Sequence, residues 1–306
     1  MTRNRDDNTG VVANTYGSNV FVDDVNSIDP FTSIEFGNSE ISNILSYALF
    51  KDGYSGIRFN FQSNTFRNLK DDAISAEDVA RHIVLALRDD VPDEFGSEDL
   101  LGNPVERTGI YGLELSAEEL SYVGRVEEFL NSRRPESIVD EEYGYQAVVW
   151  DNFVDNRIEF NSVGTNQLWD VIRNWTGIIA SDNENPEDAF GLVQAIKAGE
   201  VLERLVHDYY IDVPNDQRRE IILYSHSGGA SHFAYINNMS DNLFLSDETV
   251  AALREGAVGA HYALSPAGMS RRAEFSDERF FPSIGLASSA DIVANNPMNL
   301  YDFDTY

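Results

Sequence analysis

Ser227 lies in the run Ile221-Ile-Leu-Tyr-Ser225-His226-Ser227-Gly228-Gly229-Ala230, whose residue types suit attack by a serine hydroxyl. Ile221 to Tyr224 predict a short buried strand, and Ala230 to Ile236 suit a helix. Between them the serine would occupy a sharp strand-to-helix turn, a nucleophile elbow. Its neighbours two before and two after must be small there so that their side chains do not collide. Ser225 and Gly229 meet that demand. The start of the helix would offer unpaired N–H groups and a positive dipole end to an oxyanion. The competing expectation is a glycine-rich turn with an ordinary capping serine.

A serine hydroxyl needs a base within hydrogen-bond reach. The chain has five histidines, His82, His207, His226, His232 and His261. His226 flanks the serine and is expected to point away into the fold. His232 falls one turn further along the elbow helix, His207 at the end of an amphipathic helix and His82 on an early helix. His261 is the candidate base, although it lies at a strand start and ligands gather at the carboxyl ends of parallel strands. No cysteine is present, which excludes disulfides and thiolate ligands. The acidic runs Asp89-Asp90, Asp99 and Asp140-Glu-Glu142 lack the spacing of a calcium loop and read as a solvated face. No metal site and no cofactor are expected. Trp169 and Trp175 read as core packing or as the wall of an acyl pocket.

The elements that must carry these residues can be traced along the chain. Residues 1–35 read as a mobile arm with one strand at Asn19–Val25, and residues 36–306 as a single α/β domain. The periodicity predicts a helix over Ser39–Phe50 capped by Ser39, and a strand over Ile57–Phe61. Helices open at Ser75 and Ser116, each with an acidic residue three positions on. Residues 66–140 thus form a helix-and-loop region, either a lid over the site or a packed flank. Tyr145–Trp150 and Arg157–Ser162 read as strands joined by a polar turn. A helix is expected from about Glu187 to Tyr210, and further strands at His261–Ser265 and Ser283–Ala287. Strands alternating with helices predict a mostly parallel sheet covered on both faces.

Residues 143–300 resemble the class 3 lipases and their relatives in the α/β-hydrolase superfamily. That family carries Gly-His-Ser-Leu-Gly-Gly-Ala at the elbow, against Ser225-His226-Ser227-Gly228-Gly229-Ala230 here. Upstream it has a strand ending Phe-Arg-Gly-Ser/Thr, followed by a Trp-containing segment. This chain has Glu159-Phe-Asn-Ser-Val-Gly164-Thr165, then Leu168 to Trp175. Downstream the family's Asp-x-Val-Pro turn is matched by Asp291-Ile-Val293 and Pro297, after the strand Gly259 to Pro266. The resemblance implies Ser227 as nucleophile, Asp291 as the acid and an oxyanion hole made by Thr165 and the N–H of Gly228. Val163 stands where the family has Arg, Ser225 where it has Gly, and no histidine follows Asp291. The base is therefore an unusual one, or comes from another chain, or the scaffold has lost activity.

Asp and Glu number 52 against 22 Lys and Arg, a formal charge of −30, and only Lys51, Lys70 and Lys197 are lysines. Such a surface repels nucleic acid and anionic membranes. It suits adaptation to high salt, or alternatively an acidic, calcium-bathed setting outside the cell. No apolar run is long enough for a membrane span, and Met1 to Asn8 lack the apolar stretch of a signal peptide. The expected location is the cytoplasm of a halophile, or the exterior by a route without a signal peptide. The partner implied by the resemblance is a small-molecule or lipid ester. The competing expectation is a non-catalytic structural or interaction protein of a halophile or its virus. Oligomeric state is not encoded in these motifs.

Overall fold

The computed structural model describes residues 11–15, 18–22, 30–50, 57–60, 65–68, 71–86, 115–140, 144–163, 192–238, 245–264 and 280–288. Among these an α/β arrangement is built on one eight-stranded mixed sheet of order β2-β1-β10-β9-β8-β7-β6-β5. Its strands are β1 Val11–Thr15, β2 Ser18–Val22, β5 Arg133–Asp140, β6 Tyr145–Asn152, β7 Arg157–Ser162, β8 Ile221–His226, β9 Val258–Leu264 and β10 Ser283–Ser288. A separate hairpin pairs β3 Ile57–Asn60 with β4 Thr65–Asn68. The helices are α1 Pro30–Phe50, α2 Ala76–Ala86, α3 Ala117–Asn131, α4 Leu192–Val206, α5 Gly229–Asn238 and α6 Asp247–Arg254.

The sheet is parallel only at its centre. Three of its seven pairings, β7–β8, β8–β9 and β9–β10, run parallel, and the other four are antiparallel. This corrects the expectation of a mostly parallel sheet. The turn between β6 and β7 accounts for one of the four antiparallel pairings. Asn156 there takes φ 52°, which asparagine tolerates. Asn152 Oδ1 accepts from the N–H of Asp155 at 2.9 Å. Strands joined by so short a turn can pair only antiparallel.

Burial follows the two-residue period of the central strands. Ile221 and Leu223 face a core formed with Ala195, Ala198, Leu202 and Leu205 of α4, Phe233 of α5 and Leu253 of α6. Ile222 and Tyr224 face the other side, where Phe36 of α1 packs with Tyr262. Further along that second face Ile41 and Leu45 join Val123, Val126 and Phe129 of α3 around Trp150. Both faces of the sheet are thus covered by helices.

Several local expectations change. Within residues 1–35, β1 and β2 form a hairpin whose β1 pairs with β10 at one sheet edge, and the stretch from Pro30 belongs to α1. The first helix begins at Pro30, whose fixed φ and missing N–H suit a first turn. Ser39 therefore lies inside α1 and is buried instead of capping it, its hydroxyl donating to the Tyr262 carbonyl at 3.4 Å. The region 66–140 contains two strands beside its helices, β4 and the edge strand β5. Pro135 in β5 hides that strand from a propensity reading, yet an edge strand can spare one N–H. On α4 the buried stripe is Ala195, Ala198, Leu202 and Leu205, while Ile196 is exposed.

The two predicted capping boxes are present. Glu119 N–H donates to Ser116 Oγ at 3.2 Å, and Ser116 N–H to Glu119 Oε2 at 2.7 Å. Asp78 N–H likewise donates to Ser75 Oγ at 3.1 Å. Ser116→Ala is expected to cost about 1 kcal/mol through the first turn of α3. A chemical denaturation midpoint unmoved by that change would show that the cap contributes nothing.

Candidate functional site

The carboxyl ends of the parallel strands carry the sharpest feature of the chain. Ser227 follows β8 directly and precedes α5, and its φ is +49°. Non-glycine residues rarely take that left-handed conformation, and such outliers concentrate where function holds them. Both sides of the turn are tied down. The N–H of Ser227 donates to the Leu264 carbonyl at the end of β9 at 3.0 Å, extending the sheet by one bond. Its carbonyl accepts from the N–H of Ala230 at 3.1 Å, which starts the helix. Ser231 donates from both N–H and Oγ to the Gly228 carbonyl, at 3.2 and 2.7 Å.

Ser227 is half-buried, whereas Ser225, Gly228, Gly229 and Ala230 are buried. Ser227 and His226 are thus the partly open points of a closely packed turn. The first N–H groups of α5 have no carbonyl within their own helix to receive them. The N–H of Gly229, the first residue of α5, is one of these groups, and it lies two residues after Ser227.

Register shows which chain segments reach this edge. Ser162 at the end of β7 pairs with Ser225, and His226 pairs with Leu264, which in turn pairs with Leu286 of β10. β7 and β10 thus end at the edge where Ser227 sits. Thr165 and Asp291 follow those strand ends in sequence but fall outside the described residues, as do Trp169 and Trp175.

The histidines resolve differently from one another. His261 lies within β9, opposite Leu223 of β8 and Ser283 of β10, and is fully buried. Its Nε2 is 2.7 Å from Ser225 Oγ and its Nδ1 3.2 Å from Ser283 Oγ. With both nitrogens engaged below the turn, His261 has no nitrogen left to serve Ser227. His232 on α5 is also buried, its Nδ1 2.7 Å from Ser162 Oγ and its ring against Tyr145. Burial pushes both imidazoles down to about 3, so each is neutral near neutrality. His207 sits at the opposite edge, before β8, with Nδ1 3.3 Å from Asp212 Oδ2. His226 is half-buried, and the side chain of His82 lies outside the described residues.

Comparison with protein-family models, with curated proteins and with solved structures returned no match.

A second feature escaped sequence reading, a buried charge cluster on the α1 face. Glu159 of β7 is 0% exposed and accepts from Arg133 Nε at 2.6 Å, Arg133 Nη2 at 2.8 Å, Arg157 Nε at 2.9 Å and Asn152 Nδ2 at 2.8 Å. Arg157 continues to Glu35 of α1, with Nη1–Oε1 2.8 Å, and Tyr224 donates its hydroxyl to Glu35 Oε2 at 2.5 Å. The alternation Arg157-Ile-Glu159-Phe-Asn161 carries a trace of it, because polar residues recur on one face of a central strand. Among the described residues no group of three or more His, Cys, Asp or Glu is arranged to hold a metal ion. No described helix is long and apolar enough to cross a membrane.

Proposed function

We propose that the chain is a serine hydrolase that cleaves carboxylic esters, lipid esters among them, through an acyl-enzyme on Ser227. The observation that carries this is the φ of +49° at Ser227 between a buried strand and a buried helix start. Backbone strain at a half-buried hydroxyl, beside helix N–H groups, is the arrangement nucleophilic acyl transfer needs. The motif resemblance of residues 143–300 to class 3 lipases points the same way, and it supplies Asp291 as the acid and Thr165 as partner of Gly228 in the oxyanion hole.

In this mechanism Ser227 Oγ attacks the ester carbonyl carbon as its proton passes to a base. The Gly228 N–H and Thr165 receive the oxyanion, and the alcohol leaves with a proton. Water then releases the acid from Ser227. A second hypothesis, a non-catalytic scaffold that keeps the turn, is favoured by one observation. Buried His261 has both ring nitrogens, and buried His232 its Nδ1, hydrogen-bonded to serines other than Ser227.

A serine-directed fluorophosphonate probe separates the two. Stoichiometric labelling of the wild type, reduced at least about a hundredfold in Ser227→Ala, is the expected result. Absence of labelling at both low and high salt would falsify the hydrolase assignment and leave the scaffold.

A further inference from the structure

A residue held at φ +49° stays there only if its surroundings fix it. One side chain touches both arms of the Ser227 turn. On the strand arm, His261 Nε2 lies 2.7 Å from Ser225 Oγ, two residues before Ser227. On the helix arm, the His261 ring meets Phe233 of α5 edge-on, with centroids 5.0 Å apart. Its Nδ1 is 3.2 Å from Ser283 Oγ at the start of β10, and its N–H donates to the Pro282 carbonyl at 2.8 Å.

From Ser283 the connection returns to the elbow helix. Asn237 Nδ2 of α5 reaches Ser283 Oγ at 3.4 Å and donates to the Phe281 carbonyl at 2.8 Å. Asn237 Oδ1 accepts from the N–H groups of Phe280 and Phe281 at 2.8 and 3.1 Å. Four elements, β8, β9, β10 and α5, are thus joined around the turn by polar side chains.

We infer that His261 is a positioning residue, which with Ser225, Phe233, Ser283 and Asn237 locks the Ser227 turn to the strand leading toward Asp291. The consequence for acylation rests on the serine-hydrolase proposal above; the locking itself does not. The geometry also accounts together for two oddities. Ser225 stands where the family's elbow has glycine, and its hydroxyl is what His261 engages. His261 is a polar ring in an apolar position that a phenylalanine would fill at lower desolvation cost, yet both nitrogens meet a hydroxyl. A neutral imidazole supplies one donor and one acceptor, which is what two serine hydroxyls require.

The test compares Ser225→Ala, His261→Phe, their double variant and His261→Gln, whose amide can donate and accept. Amide hydrogen exchange is read at Ser227, Ala230 and Ser231, whose N–H groups are hydrogen-bonded in the native turn. Each of the first two variants should speed exchange at these three amides about tenfold, the scale of one lost hydrogen bond. Amides of β5 and β6 should not change. The double variant should be no faster than the single ones, and His261→Gln should restore part of the protection. The inactivation rate with a fluorophosphonate should fall about tenfold in the same variants at unchanged probe affinity. Exchange that rises evenly across the whole core, or not at all at the turn, overturns the assignment and leaves His261 as packing. If His261→Phe fails to fold, Ser225→Ala decides alone, because it removes only a hydroxyl and adds no bulk. If the wild type takes no label, the hydrolase proposal fails, while the exchange measurement still judges the lock.

Discussion

Glu159→Ala is expected to destabilise the protein by about 3–5 kcal/mol, the scale for breaking a buried ion pair from one side. Glu159 is the hub of the cluster on the α1 face. Its two oxygens receive Arg133, Arg157 and Asn152, and none of its surface reaches solvent. The cluster is balanced as it stands, with Glu35 and Glu159 against Arg133 and Arg157. Removing Glu159 strands Arg133, whose side chain is 6% exposed, and leaves Arg157 with Glu35 alone. Arginine cannot shed its proton to escape. Burial opposes the charge on Arg157, but Tyr224, Glu159 and Glu35 outweigh it and hold its pKa above the ordinary arginine value. Arg134→Ala on the same edge strand, an exposed position, provides the control and should cost within about 0.5 kcal/mol. Equal small losses for the two variants, measured by denaturant titration at fixed salt, would mean that Glu159 adds nothing to folding.

That cluster also marks where sequence reading ran out. The central strands were legible because Ile221 to Tyr224 and the stretch around Tyr262 are apolar and β-rich. The two caps at Ser75 and Ser116 were legible because a capping box is written within four residues. The Ser227 turn was legible because small residues at fixed offsets are a steric requirement.

Long-range pairing was less accessible. Nothing within Val11–Val22 announces that β1 will add to β10, more than two hundred residues on. Glu35 fell at the end of the expected arm 1–35, and its burial is explained by Arg157 and Tyr224, 122 and 189 positions away. His261 read as a strand start, whereas it lies in the middle of β9, and its partners depend on where Ser225 and Ser283 lie across two neighbouring strands. Composition was informative about the surface and silent about this interior. A chain with formal charge −30 keeps two of its scarce cations, Arg133 and Arg157, inside. Salt that screens the exterior reaches them far less.

Acid should unfold the protein through its buried histidines. Burial pushes His232 and His261 down to about 3 in the folded chain, against roughly 6.5 when exposed. The folded state therefore resists protons that the unfolded state binds. Each histidine's contribution is fully present above about pH 6.5 and is lost progressively as the pH falls toward 3. The slope is about 1.4 kcal/mol per pH unit for each group, so the pair removes several kcal/mol between about pH 6 and pH 4.5. Surface carboxylates act in the opposite sense, because protonating them relieves repulsion in a chain with 52 acidic residues. Most keep their charge until the pH nears 4, so the histidine slope dominates above that point. The neighbours of the two rings among the described residues are hydroxyl and aromatic groups, Ser162 and Tyr145 for one, Ser225, Ser283 and Phe233 for the other. None of them offers a carboxylate to hold an imidazolium. Unfolding free energies of the wild type, His232→Gln and His261→Gln, measured at constant salt from about pH 7 to pH 5, test this directly. Each variant should lose about half of the wild-type slope, whatever its absolute stability. A slope unchanged by either substitution would place the acid sensitivity elsewhere in the chain.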